Sequence, residues 1–188
     1  MLKTNDLIVK IKQNIVINKT LPFVVAIDGM SASGKTTLGQ LLHVEFPESN
    51  LFHMDDYFLQ PHQRTAKRLS EIGGNVDYER FKNEVILHLK DREGLSFRRY
   101  DCQTQSLSPE IHIPWKPFVI IEGAYSQHPY FGNVHDMRFF LEISKEEQRE
   151  RILLRNGAEI LKRFEDEWIP KEHAYFEFYK IKEKCELQ

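Results

Sequence analysis

A chain of 188 residues that is 41% hydrophobic and 29% charged, with a formal net charge of −2, can bury one substantial core; it has neither the polarity of a disordered chain nor the basic surplus of a nucleic-acid binder. Its two cysteines, Cys102 and Cys185, lie too far apart to suggest a disulfide framework, and eight histidines show no ligand spacing, so reduced thiols and no protein-made zinc site are expected. The N-terminus lacks a signal-peptide h-region and no apolar run approaches the ~18 residues needed to span a bilayer, so a cytoplasmic protein with small-molecule partners is expected, without nucleic acid or membrane and with homo-oligomerisation left open.

Taken in order, Thr4 is a candidate cap for a first helix whose apolar stripe is Leu7, Ile8, Ile11 and Ile15, a helix expected to pack on the edge of a sheet. Phe23-Val24-Val25-Ala26-Ile27 has the length and β-branched composition of a buried parallel strand. Gly29-Met30-Ser31-Ala32-Ser33-Gly34-Lys35-Thr36 follows and fits G-x-x-x-x-G-K-[ST] at every specified position. Leu38, Leu41 and Leu42 then recur at helical spacing until Pro47. A strand, a glycine-containing turn and a helix N-terminus together make an anion site, because the backbone N–H groups and the positive helix end converge on a phosphate. Gly29, Ser31, Ala32, Ser33, Gly34, Lys35, Thr36 and Thr37 are therefore the expected nucleotide-binding residues. Lys35 would reach the β- and γ-phosphates, and Thr36 would offer its hydroxyl to Mg²⁺.

Asn50 to Met54 reads as a second buried strand ending on Asp55-Asp56-Tyr57. In open α/β folds ligands bind beyond the carboxyl ends of the strands, which sets these aspartates on the same rim as the phosphate loop. From 59 to 115 the alternation of strand and helix lapses: 60–75 is polar and reads as a loop or flap, Tyr78 to Lys90 as a helix, and Leu95 to Asp101 as one arm of a hairpin. This stretch is expected to be an acceptor-binding insertion. Phe118 to Gly123 and Met137 to Ile143 are the third and fourth strands. Ser144 and Glu147 form a capping-box pair for the next helix, and 144–167 is the expected lid, carrying Arg149, Arg151 and Arg155. An aromatic helix from Trp168 to Lys182 follows, and no convincing fifth strand is visible in Lys184 to Gln188.

These elements predict a single three-layer α/β domain with a mainly parallel sheet. A regulatory GTPase is disfavoured, since its guanine-reading N-K-x-D is missing: Asn18-Lys19 precedes the phosphate loop and continues as Thr20-Leu21. A small-molecule kinase needs positioning, charge neutralisation and a base near the acceptor hydroxyl. Asp55 is the first candidate for that base and Asp56 the second, with a helix cap or a metal-bound water as the structural alternative for Asp55. Glu122 is placed to hold a metal-bound water or a structural hydrogen bond. Asp28 is expected to hold the loop. Arg151 and Arg155 either close over ATP or make surface ion pairs with residues such as Glu147.

The same residues resemble the uridine kinase, nicotinamide riboside kinase and phosphoribulokinase group of phosphate-loop kinases. Gly29 to Thr37 is similar to its G-x-[ST]-x-S-G-K-T-T loop, His53-Met54-Asp55-Asp56-Tyr57-Phe58 to its strand-end Q-D-D-F-F segment, and Ile120-Ile121-Glu122-Gly123 to its I-I-E-G strand end. The resemblance implies a P-loop NTPase fold, ATP and Mg²⁺ as cofactors, Asp55 as the base, and Glu122 with Thr36 at the metal. It implies Asp77, in Asn75-Val76-Asp77, as the holder of ribose hydroxyls, and Tyr100-Asp101 with Tyr57 in the acceptor site. Arg151 and Arg155 fall where the family has its lid arginines. Where uridine kinases carry a base-reading histidine this chain has Gln105, and the family's final strand is weak. The function implied is γ-phosphoryl transfer to a nucleoside, uridine or cytidine first, with nicotinamide riboside, pantothenate or a regulatory nucleotide-binding role as alternatives.

Overall fold

Short runs of β-branched and aromatic residues can sit in the middle of a sheet only if both faces are covered, and the arrangement of this chain follows from that requirement. In chain order the computed structural model, which describes residues 4–186, runs α1 (Thr4–Asn18), β1 (Phe23–Gly29), α2 (Lys35–Glu45), β2 (Ser49–His53), α3 (Ala66–Ser70), α4 (Tyr78–Glu84), β3 (Leu95–Phe97), β4 (Tyr100–Asp101), β5 (Ser106–Leu107), β6 (Ile111–Ile113), β7 (Phe118–Glu122), β8 (Met137–Leu141), α5 (Lys145–Arg163) and α6 (Ile169–Phe178). The central sheet has the order β2-β7-β1-β8, and every pairing in it is parallel. All seven residues of β1 are buried, from the apolar run Phe23 to Ile27 through Asp28 and Gly29.

Side chains alternate between the two faces. Phe23, Val25, Ile27, Phe118, Ile120, Met137 and Phe139 form one core with Leu7 and Ile11 of α1 and Leu42 of α2. Val24, Phe52, Met54, Val119 and Ile121 form the other with Phe81 of α4. Tyr175 and Phe176 of α6 pack with Tyr125 and Phe140 in a third cluster. The result is the expected three-layer α/β fold. Leu7 and Ile11 of the first helix are buried in the first of these cores, which includes Met137 and Phe139 of the edge strand β8; whether Thr4 caps it lies outside the described side chains.

The insertion departs most from its sequence reading. The helix expected over Tyr78 to Lys90 stops at Glu84, and Ile86–His88 is a separate 3₁₀ turn. Val85, Ile86 and Leu89 are all buried in the core, and the tighter turn lets the adjacent pair 85 and 86 face inward together. The polar segment 60–75 contains a 3₁₀ turn at Pro61–Gln63 and α3, capped by Thr65, whose Oγ1 accepts from the Arg68 N–H at 3.1 Å. The expected hairpin arm divides between two antiparallel pairs, β3 with β6 and β4 with β5.

Ser144 Oγ accepts from the Glu147 N–H at 3.2 Å, but the Glu147 carboxylate pairs with Arg151 and does not close the capping box. Within α5 the helix breaks at Gly157, where φ is 81° and ψ is 171°, and Phe164–Trp168 forms a π-helical turn leading into α6. Among the described residues no fifth strand joins the sheet, though Glu186 donates one backbone hydrogen bond of 3.0 Å to Arg138 of β8. The last two residues of the tail, 187 and 188, lie outside the described residues.

Candidate active site

The parallel register sets Ile27 and His53 on either side of Glu122, so three strand ends open on one rim. From β1 the chain turns sharply at Gly29, whose φ is 137°; a Cβ there would stand 2.2 Å from the Leu141 carbonyl oxygen. Gly34, at φ 98°, is the N-cap of α2 and turns the loop into the helix. Lys35 Nζ donates to the Gly29 and Met30 carbonyls at 2.8 and 2.7 Å. Its ammonium is thereby held within the loop that it follows.

Asp28 anchors this loop from below, as expected. It is fully buried; Oδ1 accepts from the N–H groups of Gly29 (2.8 Å) and Tyr125 (3.2 Å), and Oδ2 from the Gln127 N–H (3.1 Å) and the Tyr175 hydroxyl (2.9 Å). One carboxylate thus ties β1 to the segment after β7 and to α6. Burial pushes its pKa up to about 6 despite those donors.

On the rim, Glu122 Oε1 accepts from the Thr36 hydroxyl at 3.1 Å and meets His53 Nδ1 at 2.5 Å. The hydrogen bond to Glu122 raises the pKa of His53. Asp55, in the 3₁₀ turn after β2, is exposed and lines the central cavity. Its carboxyl is raised above the usual range, chiefly by desolvation and next by the charge of Glu122, against the pull of Lys35, His53 and Arg155. Asp56 faces elsewhere and pairs with Arg99 at 3.4 Å.

A cavity of about 1030 Å³ joins these groups. Ser31, Ala32, Gly34, Lys35, Thr36 and Thr37 line it, with Asp55 and Glu122 across from them. Arg151 and Arg155 of α5 also reach it; Arg151 donates to the Ala32 carbonyl at 3.0 Å and Arg155 to Asn156 at 2.8 Å, whereas Arg149 pairs with Glu165 at 3.0 Å away from the cavity. Gly29 and Ser33 shape the loop from behind.

The four residues expected at the acceptor are not on the cavity wall. Tyr57 is fully buried in the core, edge-on to Phe81 at 4.7 Å and 4.1 Å beneath the Arg80 guanidinium, because the 3₁₀ turn carrying Asp55 outward carries Tyr57 inward. Tyr100 is buried behind Arg64, which reaches the cavity and donates to its hydroxyl at 3.0 Å. Asp101 is exposed and accepts from the N–H of Gln103 at 2.7 Å, closing the turn between β4 and β5; those backbone bonds lower its pKa. Asp77 caps α4 by accepting from the Arg80 N–H at 3.0 Å, accepts from Gln63 at 2.8 Å, and stands 3.6 Å from the Arg80 guanidinium. Its carboxylate is occupied by the fold.

Sequence reasoning also missed Glu172, Arg64, Tyr125, Phe164 and Trp168, all of which line the cavity. Glu172 accepts from the Ser31 N–H at 2.9 Å and from the Ser31 hydroxyl, bracing the phosphate loop from α6. Desolvation raises its pKa against the pull of Lys35. No local pattern announces it, since its partner lies 141 residues away in the chain.

Thr36 and Glu122 are hard oxygen donors, and among the described residues no group of three or more His, Cys, Asp or Glu could hold a metal ion. That donor set fits Mg²⁺, which is ordinarily held by one or two side chains together with nucleotide phosphates and water. No described helix is long and apolar enough to cross a membrane.

No family model matches the chain. It is 26% identical over 156 residues to the uridine kinase of Ureaplasma parvum serovar 3, covering 79% of this chain and 75% of that protein. To the nicotinamide riboside kinase of Schizosaccharomyces pombe it is 27% identical over 176 residues, covering 83% and 74%. Among solved structures, that of a possible uridine kinase from Bacillus stearothermophilus superposes with a TM-score of 0.70 at 22% identity, covering 97% of this chain and 98% of that one. The D-glycerate 3-kinase of Cryptococcus neoformans gives a TM-score of 0.64 at 14% identity, covering 91% and 87%. The fold is that of the phosphate-loop kinases, and the sequence is similar to members that phosphorylate small molecules.

Proposed function

We propose that this small-molecule kinase transfers the γ-phosphoryl group of ATP to a hydroxyl of a nucleoside, uridine or cytidine first. The observation that carries the reading is the single cavity shared by Lys35 and Thr36 of the phosphate loop, Glu122 and Asp55. Asp55 takes the proton of the acceptor hydroxyl; that oxygen forms a bond to the γ-phosphorus while the bond to the β–γ bridging oxygen breaks, its electron pair leaving with ADP. A base raised above the usual carboxylate range is better matched to this work near neutral pH. Lys35, Arg151 and Arg155 neutralise charge on the transferred group. Mg²⁺ bound with the nucleotide, near Thr36 and Glu122, would supply further charge neutralisation.

Support for a ribosylated acceptor comes from the uridine kinase and nicotinamide riboside kinase named above, and nicotinamide riboside is the second candidate. Gln105 lines the cavity where a base-reading histidine is expected, which favours testing the two together. The test is ADP release with Mg·ATP across nucleosides, nicotinamide riboside, pantothenate and sugars, beside Asp55→Asn. We expect stimulation by one class of riboside and a kcat about 10²–10⁴-fold lower in the variant. No stimulation by any acceptor overturns the kinase reading; stimulation undiminished in Asp55→Asn removes the base assignment.

A further inference from the structure

On the rim of the cavity one carboxylate oxygen takes two donors while its twin takes none. Glu122 Oε1 accepts from the Thr36 hydroxyl at 3.1 Å and meets His53 Nδ1 at 2.5 Å. Oε2 accepts from no described residue and is not sealed from solvent, although Glu122 as a whole is only 3% exposed, so it opens on the cavity that Glu122 lines. A buried carboxylate gains from every donor it meets, and a pair that served the fold alone would spread its donors over both oxygens. Here they converge on one oxygen and leave the other free for a ligand.

Three elements build this convergence. The parallel register of β2 and β7 sets His53 beside Glu122, and alternation along β2 puts His53 with Leu51 on the sheet face that α2 covers. Its chain neighbours Phe52 and Met54 are buried in the core on the other face, whereas the His53 ring is only partly covered, so the imidazole is not there to fill the core. From α2, Gly39 lies against the stem of Glu122: a Cβ there would stand 3.1 Å from Glu122 Cγ, and its absence lets the glutamate lie along the helix. An ionised carboxylate only accepts, so the proton of the His53 contact sits on Nδ1, where the Nδ1–H tautomer and the imidazolium both carry it. Thr36 spends its one proton on Glu122, which leaves its oxygen lone pairs unspent.

We propose that His53 is a positioning residue for the divalent cation that accompanies the nucleotide: its Nδ1–H fixes the Glu122 carboxylate so that Oε2 is presented to water bound by the cation, with the Thr36 oxygen left for the cation itself. The inference rests on the kinase reading. It adds a residue of β2, outside the phosphate loop, that sets metal affinity without touching nucleotide, acceptor or metal. Removing a hydrogen bond that orients a metal-site carboxylate typically lowers metal affinity about 10–100-fold.

The experiment needs no turnover. Calorimetry measures the affinity for β,γ-imido-ATP with saturating Mg²⁺ and again in EDTA, for wild type, His53→Phe and His53→Asn; the ratio of the two affinities reports how much the metal contributes. His53→Phe keeps the ring and deletes the donor, and should lower that ratio about tenfold while the affinity in EDTA stays unchanged. His53→Asn, whose amide can donate from about the place of Nδ1, should restore the ratio to within about threefold of wild type. In a Glu122→Gln background His53→Phe should cost nothing further, because both changes act through one carboxylate. A ratio unmoved by His53→Phe overturns the inference and leaves the kinase reading standing. So does an equal fall with and without the metal, which marks a structural role, and so does a further loss on top of Glu122→Gln. If the metal does not tighten binding in wild type, the metal assignment of the kinase reading fails and this inference falls with it.

Discussion

On the phosphate-loop side of the cavity the recognition groups are backbone N–H donors and one lysine, set by a turn of five residues between β1 and α2. On the insertion side the scaffold is a lattice of guanidinium groups. Arg68 binds Glu79 at 2.5 Å and the Tyr78 hydroxyl, Val76 carbonyl and Gly74 carbonyl at 2.6, 2.9 and 3.0 Å. Arg80 joins Glu84 to the carbonyls of Asp56 and Arg98 at 3.1, 2.7 and 2.7 Å. The first region needs little beyond its own sequence because its donors are main-chain groups. The second makes its shape from side chains that meet only after folding, and so the carboxylates found there hold the wall up without facing the cavity.

The sharpest way to break this comparison is Lys35→Ala, which removes charge at the phosphates while leaving the loop's glycines intact. Transfer should fall about 10²–10³-fold with the fold retained; an unchanged kcat/KM would contradict the assignment. Next in size, Arg80→Ala strips the partner from Asp77 and Glu84 in a site where the arginine side chain is 10% exposed. Unfolding stability should drop by about 3 kcal/mol, measured by denaturant titration, with nucleotide affinity little changed. Equal stability would mean the lattice is ornamental.

The smallest effect concerns Asp28. Its pKa is raised from 3.8 to about 6 by burial, so the folded state binds a proton more tightly than the unfolded chain. Its contribution is therefore full below about pH 4 and is lost as pH rises through about 6. Relative to Asp28→Asn, wild type should lose on the order of 2 kcal/mol of stability between pH 4 and pH 7. A pH-independent difference would show that the carboxylate stays ionised throughout.

How far the sequence reaches can be argued from a few residues. Lys35, Thr36, Asp55 and Glu122 were legible because strand ends in a parallel sheet share a rim, and motif positions on those ends arrive together. Tyr57 is not legible in the same way: a 3₁₀ turn, not an extended strand end, separates it from Asp55, and its side chain lies in the core. Asp77, which the resemblance puts at the acceptor, also stands immediately before a helix, where an aspartate is a good N-cap, and in the fold it caps α4.

The sequence by itself determined the phosphate loop, the four parallel strands and the carboxylates at their ends, since each depends on composition within a short window. Tertiary structure alone decided the strand order, the bracing of Ser31 by Glu172, and that Tyr125 rather than Asp77 lines the cavity. Those outcomes depend on which buried polar groups find partners across tens of residues, and the hydrogen-bonding capacity of a side chain does not specify its partner until the chain has closed around it.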